Sequence, residues 1–170
     1  LRMSDIGYQS RLQQSINVNY NSLSKYVDSI IGAINMPNDV FRKIRELDND
    51  GYPQQISSGT LQIENELYDV IRPKRRGESG ERPANLLKNH GIEYVEFRGL
   101  DINPFEITGI SKAQIHVLDI FLMYCLIAPS PKISSEEAEI ISENSMVAIE
   151  KGRNKNCLLY TSDAADDDRG

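Results

Sequence analysis

Cysteine, histidine and long apolar runs are all scarce in this chain. Its 170 residues include two cysteines and two histidines. One of the cysteines, Cys157, lies in a tail set aside below. Cys125 then stands alone, so no intrachain disulfide can form and nothing contradicts a reducing cytoplasm. His116 shares a helical segment with Cys125. One imidazole and one thiol at that spacing make neither a metal site nor a catalytic pair, and Cys125 reads as a core thiol. His90 reads as part of a helix end. The longest apolar run, residues 120–128, is far too short to cross a bilayer. No signal-peptide pattern opens the chain and Leu1 is not an initiator, so the natural start is expected upstream. No internal repeat or linker divides the sequence. The net charge of −6 argues against nucleic acid as a partner.

What is present suits a soluble globular protein. Hydrophobic residues at 39% and charged residues at 26% exclude a disordered chain. The length suits one ordinary core. Residues 157–170 stand apart. They begin CLLYTSDAAD, which resembles the in-frame translation of a transposase-type sequencing adaptor. They are expected to be a non-native tail, with a natural acidic tail as the rival reading. Asp163, Asp166, Asp167, Asp168 and Arg169 carry half of the net acidity.

Residues 11–21 are polar and aperiodic, which predicts a loop. Leu23, Tyr26, Val27, Ile30, Ile31 and Ile34 recur at helical spacing, with Asn21 or Ser22 as cap and Pro37 past the end. A short helix follows, with Val40, Phe41, Ile44 and Leu47 on one side. Asp48-Asn49-Asp50-Gly51 is a turn, since EF-hand spacing is absent. Leu61, Ile63 and Leu67 alternate with Gln62, Glu64, Glu66 and Tyr68, which predicts a strand. Arg72, Lys74, Arg75 and Arg76 form a basic run of the kind usually found in a solvated loop. Pro83 in a first turn and Gly91 as a stop frame a short helix. Ser111 caps a helix to about Ala128 that is apolar nearly all round, and therefore expected to be buried. Ser134 and Glu137 form a capping box for a last helix, with Ile140, Ile141, Met146 or Val147, and Ile149 apolar and Gly152 as its stop. Two strands among four helices favour an α+β fold.

The most informative stretch is residues 91–105, GIEYVEFRGLDINPF. Strand alternation points Tyr94, Glu96 and Arg98 one way and Glu93, Val95 and Phe97 the other. Val95 and Phe97 are expected to meet a core. A carboxylate and a guanidinium then stand about 6.6 Å apart on one wall, close enough to touch one polyphosphate together. Gly99 allows a bend, and Asn103-Pro104 closes the element. Taken alone, a Glu and an Arg on one strand face describe a solvated sheet surface.

Two further blocks change that weighing. IENELY…IRPKR within residues 60–76, together with GIEYVEFRGLDINPF, resembles the proteobacterial type of glutamate–cysteine ligase, and the opening LRMSDIGY resembles the same family. The likeness runs from Leu1 to about Lys155 and spans roughly the middle third of such an enzyme. It implies that residues 1–156 are the middle portion of a catalytic domain with a glutamine-synthetase-like fold: a partial antiparallel sheet with flanking helices. It also implies the roles of individual residues. Glu96 falls on a metal ligand suited to Mg²⁺. Arg98 falls on a catalytic arginine beside the phosphates of ATP. The basic run of Arg72, Lys74, Arg75 and Arg76 could also draw ATP in, with Arg72 the one of them expected to reach phosphate. Arg2, Tyr8 and Tyr68 fall on residues that hold the amino-acid half. By their own chemistry, Arg2 could equally be a terminal charge and Tyr8 a half-buried aromatic. No role is assigned to Asn65 or Glu66.

The reaction implied is ATP-dependent ligation of L-glutamate to L-cysteine in the cytoplasm, through a γ-glutamyl phosphate. This is the first step of glutathione synthesis. The family's other metal carboxylates have no counterpart here, so this chain alone is expected to be inactive without the rest of the polypeptide. Two other readings stay open. One is the ligase module of a bifunctional glutathione-synthesising enzyme. The other is a non-catalytic, helix-rich interaction domain whose charged faces are merely solvated.

Overall fold

Helix α1, Leu23–Asn35, starts where Ser22 accepts a hydrogen bond from Lys25 N at 3.2 Å. Its apolar stripe turns Tyr26, Val27, Ile30 and Ala33 into the core. Leu61 and Leu67 complete that core together with Ala84 and Leu87 of α3, Pro83–His90. The computed structural model describes residues 13, 15–44 and 49–152. They fall into two compact units, one within Ser10–Gly99 and one built on Leu100 onward. Leu47, Asp48 and the tail from Cys157 lie outside the described residues.

In the first unit the chain leaves α1, forms the four-residue helix α2 at Asp39–Arg42, and returns along the end of α1. Val40 and Ile44 there are exposed, so the expected apolar side of α2 meets no core. Thr60 N donates to Met36 O at 2.8 Å and Leu61 N to Ala33 O at 3.2 Å. Gly59 makes this approach possible, because a Cβ at that position would collide with the Ile34 carbonyl.

The strand expected over residues 61–68 is not one. Glu64–Glu66 is a 3₁₀ turn. Glu66 N bonds Ile63 O at 3.1 Å and Leu67 N bonds Glu64 O at 3.3 Å, so these donors are satisfied within the turn, and no strand of the described residues pairs with it. Leu61 and Leu67 are buried as expected, but a turn separates them.

The strand lies further on. Strand β1, Ile71–Lys74, pairs antiparallel with β2, Tyr94–Phe97, in the register Ile71↔Phe97, Arg72↔Glu96, Pro73↔Val95 and Lys74↔Tyr94. Pro73 is tolerated because both members of a two-stranded sheet are edges. The loop of residues 16–22 is lashed to the start of β1 by the Tyr20 hydroxyl, 2.5 Å from Asp69 Oδ2 and 3.1 Å from Ile71 O. Gly91, at φ 76, ends α3 and turns the chain into β2. The expected core side of β2 is its open side: Val95 is 50% exposed and Phe97 38%. The core below is already filled by α1 and α3, and the hairpin lies over it by its charged face.

The second unit holds α4, Lys112–Ile127, and α5, Ser135–Lys151. Ser111 with Gln114 and Ser134 with Glu137 form complete capping boxes. The Ser134 hydrogen bonds hold the Glu137 carboxyl below its ordinary range. Helix α4 is not buried: none of its residues is, and Cys125 is an exposed free thiol, not a core one. An all-round apolar helix needs neighbours on every side, and α4 and α5 do not pack on one another. No helix of the described residues is long and apolar enough to cross a membrane.

Two glycine substitutions should move stability in opposite directions. Gly59→Ala is expected to cost about 1–3 kcal/mol in thermal or urea unfolding, because backbone must shift. Gly32→Ala, within α1 and with nothing within 4 Å of the new methyl, is expected to add about 0.5–1 kcal/mol.

Candidate functional site

Directly opposed residues of an antiparallel pair share a face. The register therefore gathers Arg72 and Lys74 of β1 with Tyr94 and Glu96 of β2, and alternation adds Arg98. The ladder extends to Arg98, whose N–H donates to Val70 O at 2.7 Å. Glu96 lies between two cations: its Oε2 is 3.7 Å from Lys74 Nζ and its Oε1 is 3.8 Å from Arg98 Nε. The Arg98 guanidinium also sits over the Tyr68 ring, 5.4 Å from its centroid, in cation–π contact. Three of the residues singled out from the sequence, Tyr68, Glu96 and Arg98, are thus brought together. Arg2 and Tyr8 lie outside the described residues.

Arg72 is the buried member of this face. It is 6% exposed, and its guanidinium donates to Glu64 O at 3.2 Å and, at a longer 3.5 Å, to Asn65 O. Glu64 is also buried, and its Oε1 accepts from Arg82 Nε at 3.0 Å, just ahead of α3. The 3₁₀ turn leading to Tyr68 is therefore held by its main chain from β1 and by its side chain from α3. The rest of the basic run serves the loop: Arg75 donates to His90 O at 2.6 Å, and Arg76 pairs with Glu93 at 3.8 Å.

A cleft of about 110 Å³ opens beside Arg72 and Lys74, with Glu64 and Tyr94 on its polar side and Val27 and Leu87 on its apolar side. Three cations against one carboxylate leave the sheet face positive. Burial pushes the Lys74 ammonium down, Arg72 adds to the shift, and Glu96 opposes it. Such a face suits an anion with several oxygens.

It does not by itself fit Mg²⁺. That ion takes about six oxygens in octahedral array. Glu96 offers one carboxylate, already flanked by cations. Among the described residues no group of three or more carboxylates, imidazoles or thiols could hold a metal.

A glutamate–cysteine ligase family profile matches residues 1–147. The chain belongs to the glutamate–cysteine ligase family. It is 43% identical over 164 residues to the glutamate–cysteine ligase of Alcanivorax borkumensis, covering 94% of this chain and 31% of that one. It is 47% identical over 153 residues to that of Hahella chejuensis, covering 90% and 29%. Among solved structures it resembles the glutamate–cysteine ligase of Francisella tularensis in complex with AMP, with a TM-score of 0.80 and 38% identity over 91% of this chain and 30% of that one. It also resembles a bifunctional glutathione synthetase from Pasteurella multocida, with a TM-score of 0.52 and 27% identity over 88% and 15%. The chain spans about a third of the length of the curated glutamate–cysteine ligases it matches. The α+β class, with a partial antiparallel sheet and flanking helices, is the fold observed.

Lys74, named from the sequence only as part of a basic run able to draw in ATP, is the member of this face to which no role of its own was given. Its signal was its two-residue offset from Arg72, which places both on one strand face once β1 is known to span Ile71–Lys74.

The Lys74 ammonium yields a pH prediction. Its charged form is disfavoured in the fold, so the unfolded chain holds the proton more tightly. Stability is expected to rise as pH climbs from the depressed folded value toward the ordinary lysine range. Glu96→Gln removes the opposing carboxylate and should depress Lys74 further. Titration of the lysine carbons by NMR, with and without that substitution, reads both effects, and a Lys74 titration unmoved by the loss of Glu96 would contradict the pairing.

Proposed function

We propose that this chain supplies the phosphate-facing and cysteine-facing wall of a glutamate–cysteine ligase working in the cytoplasm. In the reaction, ATP phosphorylates the γ-carboxylate of L-glutamate. The amine of L-cysteine then attacks the acyl carbon of γ-glutamyl phosphate and expels phosphate, giving γ-glutamylcysteine for glutathione synthesis. The observation that carries this reading is Arg98, fixed between Glu96 and the Tyr68 ring on a face with surplus positive charge.

Each residue would act within its chemistry. Arg98 would hold the γ-phosphoryl oxygens as charge moves onto them. Lys74 would add a second cation from the opposite strand, and Arg72 would raise the local potential from below. Tyr68 would pack its ring on the cysteine side chain and offer its hydroxyl to a carboxylate. Arg2 and Tyr8 would complete the amino-acid half. Glu96 would offer Mg²⁺ one ligand, with the others drawn from the longer polypeptide. AMP in the Francisella tularensis relative supports a nucleotide on this fold.

In a full-length ligase carrying this segment, Arg98→Ala is expected to lower kcat by about 100-fold or more, with Arg98→Lys recovering only part of it. Glu96→Ala should be similarly severe. The isolated chain, given ATP, glutamate and cysteine, should make no γ-glutamylcysteine. Full turnover in both alanine variants would instead favour a non-catalytic interaction domain.

A further inference from the structure

Tyr68 leaves the 3₁₀ turn and enters an extended segment that pairs with no strand of the described residues. One side chain takes that missing neighbour's place. Gln13 Nε2 donates to Glu66 O at 2.6 Å, and Gln13 Oε1 accepts from Tyr68 N at 2.7 Å. An amide presents one donor and one acceptor in a plane, so it can pair with the main chain on both sides of one residue as a strand's peptide group does. Both bonds are short, and they reach across more than fifty residues of sequence. They fix the backbone from which the Tyr68 ring projects, and that ring carries the Arg98 guanidinium. The hold of Arg72 on the main chain of the turn is longer and acts further upstream, at Glu64 and Asn65.

We infer that Gln13 is a positioning residue of the ligase, a side-chain stand-in for a strand that fixes Tyr68 and through it the cysteine-facing side of the site. The inference rests on the function proposed above for Tyr68. Both of these Gln13 bonds go to main chain, so the effect inferred here passes through the aromatic ring. An alanine there removes both bonds. A glutamate keeps an acceptor for Tyr68 N but loses the donor to Glu66 O, and is expected to fall between alanine and the native residue.

The test uses a full-length ligase carrying this segment, with Gln13→Ala, Gln13→Glu, Tyr68→Ala and the Gln13→Ala/Tyr68→Ala double variant. Gln13→Ala is expected to raise KM for cysteine about tenfold, the scale of two lost hydrogen bonds, with KM for ATP within about twofold of the native value. In the Tyr68→Ala background the same change should add nothing, because residues that act in series are not additive. If Tyr68→Ala leaves KM for cysteine unchanged, the reading of Tyr68 fails and this inference fails with it. If Tyr68→Ala raises that KM and Gln13→Ala does not, the inference alone is overturned. An equal loss of kcat and thermal stability in Gln13→Ala, with both KM values unmoved, would also overturn it, since that is what a purely structural bond gives.

Discussion

The Arg98 guanidinium is held from two directions, by the Glu96 carboxylate at 3.8 Å and by the Tyr68 ring at 5.4 Å. A free arginine side chain carries about 2 kcal/mol of rotamer entropy, which must be lost before it can meet a phosphate in one geometry. Contact with a carboxylate and an aromatic face removes much of that freedom in advance. Preorganised charge is what lowers a barrier at a phosphoryl group. Most of the first unit can be understood as the means of keeping those two contacts. The register sets Glu96, the 3₁₀ turn delivers Tyr68, and Gln13 and Arg72 hold the turn in place.

Holding them has a cost that is visible in the charges. Arg72 is buried, and a buried cation is tolerated only where its donors find acceptors. Here Nη1 and Nη2 find the main-chain carbonyls of a turn, while the buried Nε has no hydrogen-bond partner among the described residues. Glu64, also buried, finds Arg82 at 3.0 Å. Such pairs add little net stability but specify one arrangement, because breaking either leaves an uncompensated charge. Lys74 has no such full compensation. Burial lowers its ammonium first and the neighbouring Arg72 second, with Glu96 offsetting only part, and a phosphate chain would add to that offset.

The helices were legible from local chemistry. Ser22, Ser111 and Ser134 cap where the sequence places them, and Gly91 stops α3 with the positive φ that favours glycine. Strand β2 was legible because Tyr94, Glu96 and Arg98 alternate cleanly. Its partner was hidden, since IRPK contains a proline and sits in a basic run that reads as loop. The alternation of residues 61–67 instead suggested a strand, and the burial of Leu61 and Leu67 agrees with it. That spacing fits a turn as well, and backbone pairing decides between them. Gln13 left no signal at all. Its role comes from where the fold carries a polar side chain, in a stretch whose few apolar residues, Ile16 and Val18 among them, say nothing of Gln13.

The remaining misreadings share one physical form. Helix α4 is apolar nearly all round and yet exposed, and Val95 and Phe97 occupy an open sheet face. Both faces have the composition of buried surface without a covering element among the described residues. The candidate site has the electrostatic counterpart of the same deficit, with three cations and a single carboxylate where a triphosphate with its metal would need further acids. The chain spans about 31% of its Alcanivorax relative. Val95 and Phe97 lie on one side of the hairpin and Glu96 on the other, so in the proposed ligase the longer polypeptide would have to cover the apolar side and, separately, bring carboxylates to the charged side. Both faces of one short hairpin would then depend on the longer polypeptide, which ties activity to the whole chain and not to the hairpin alone.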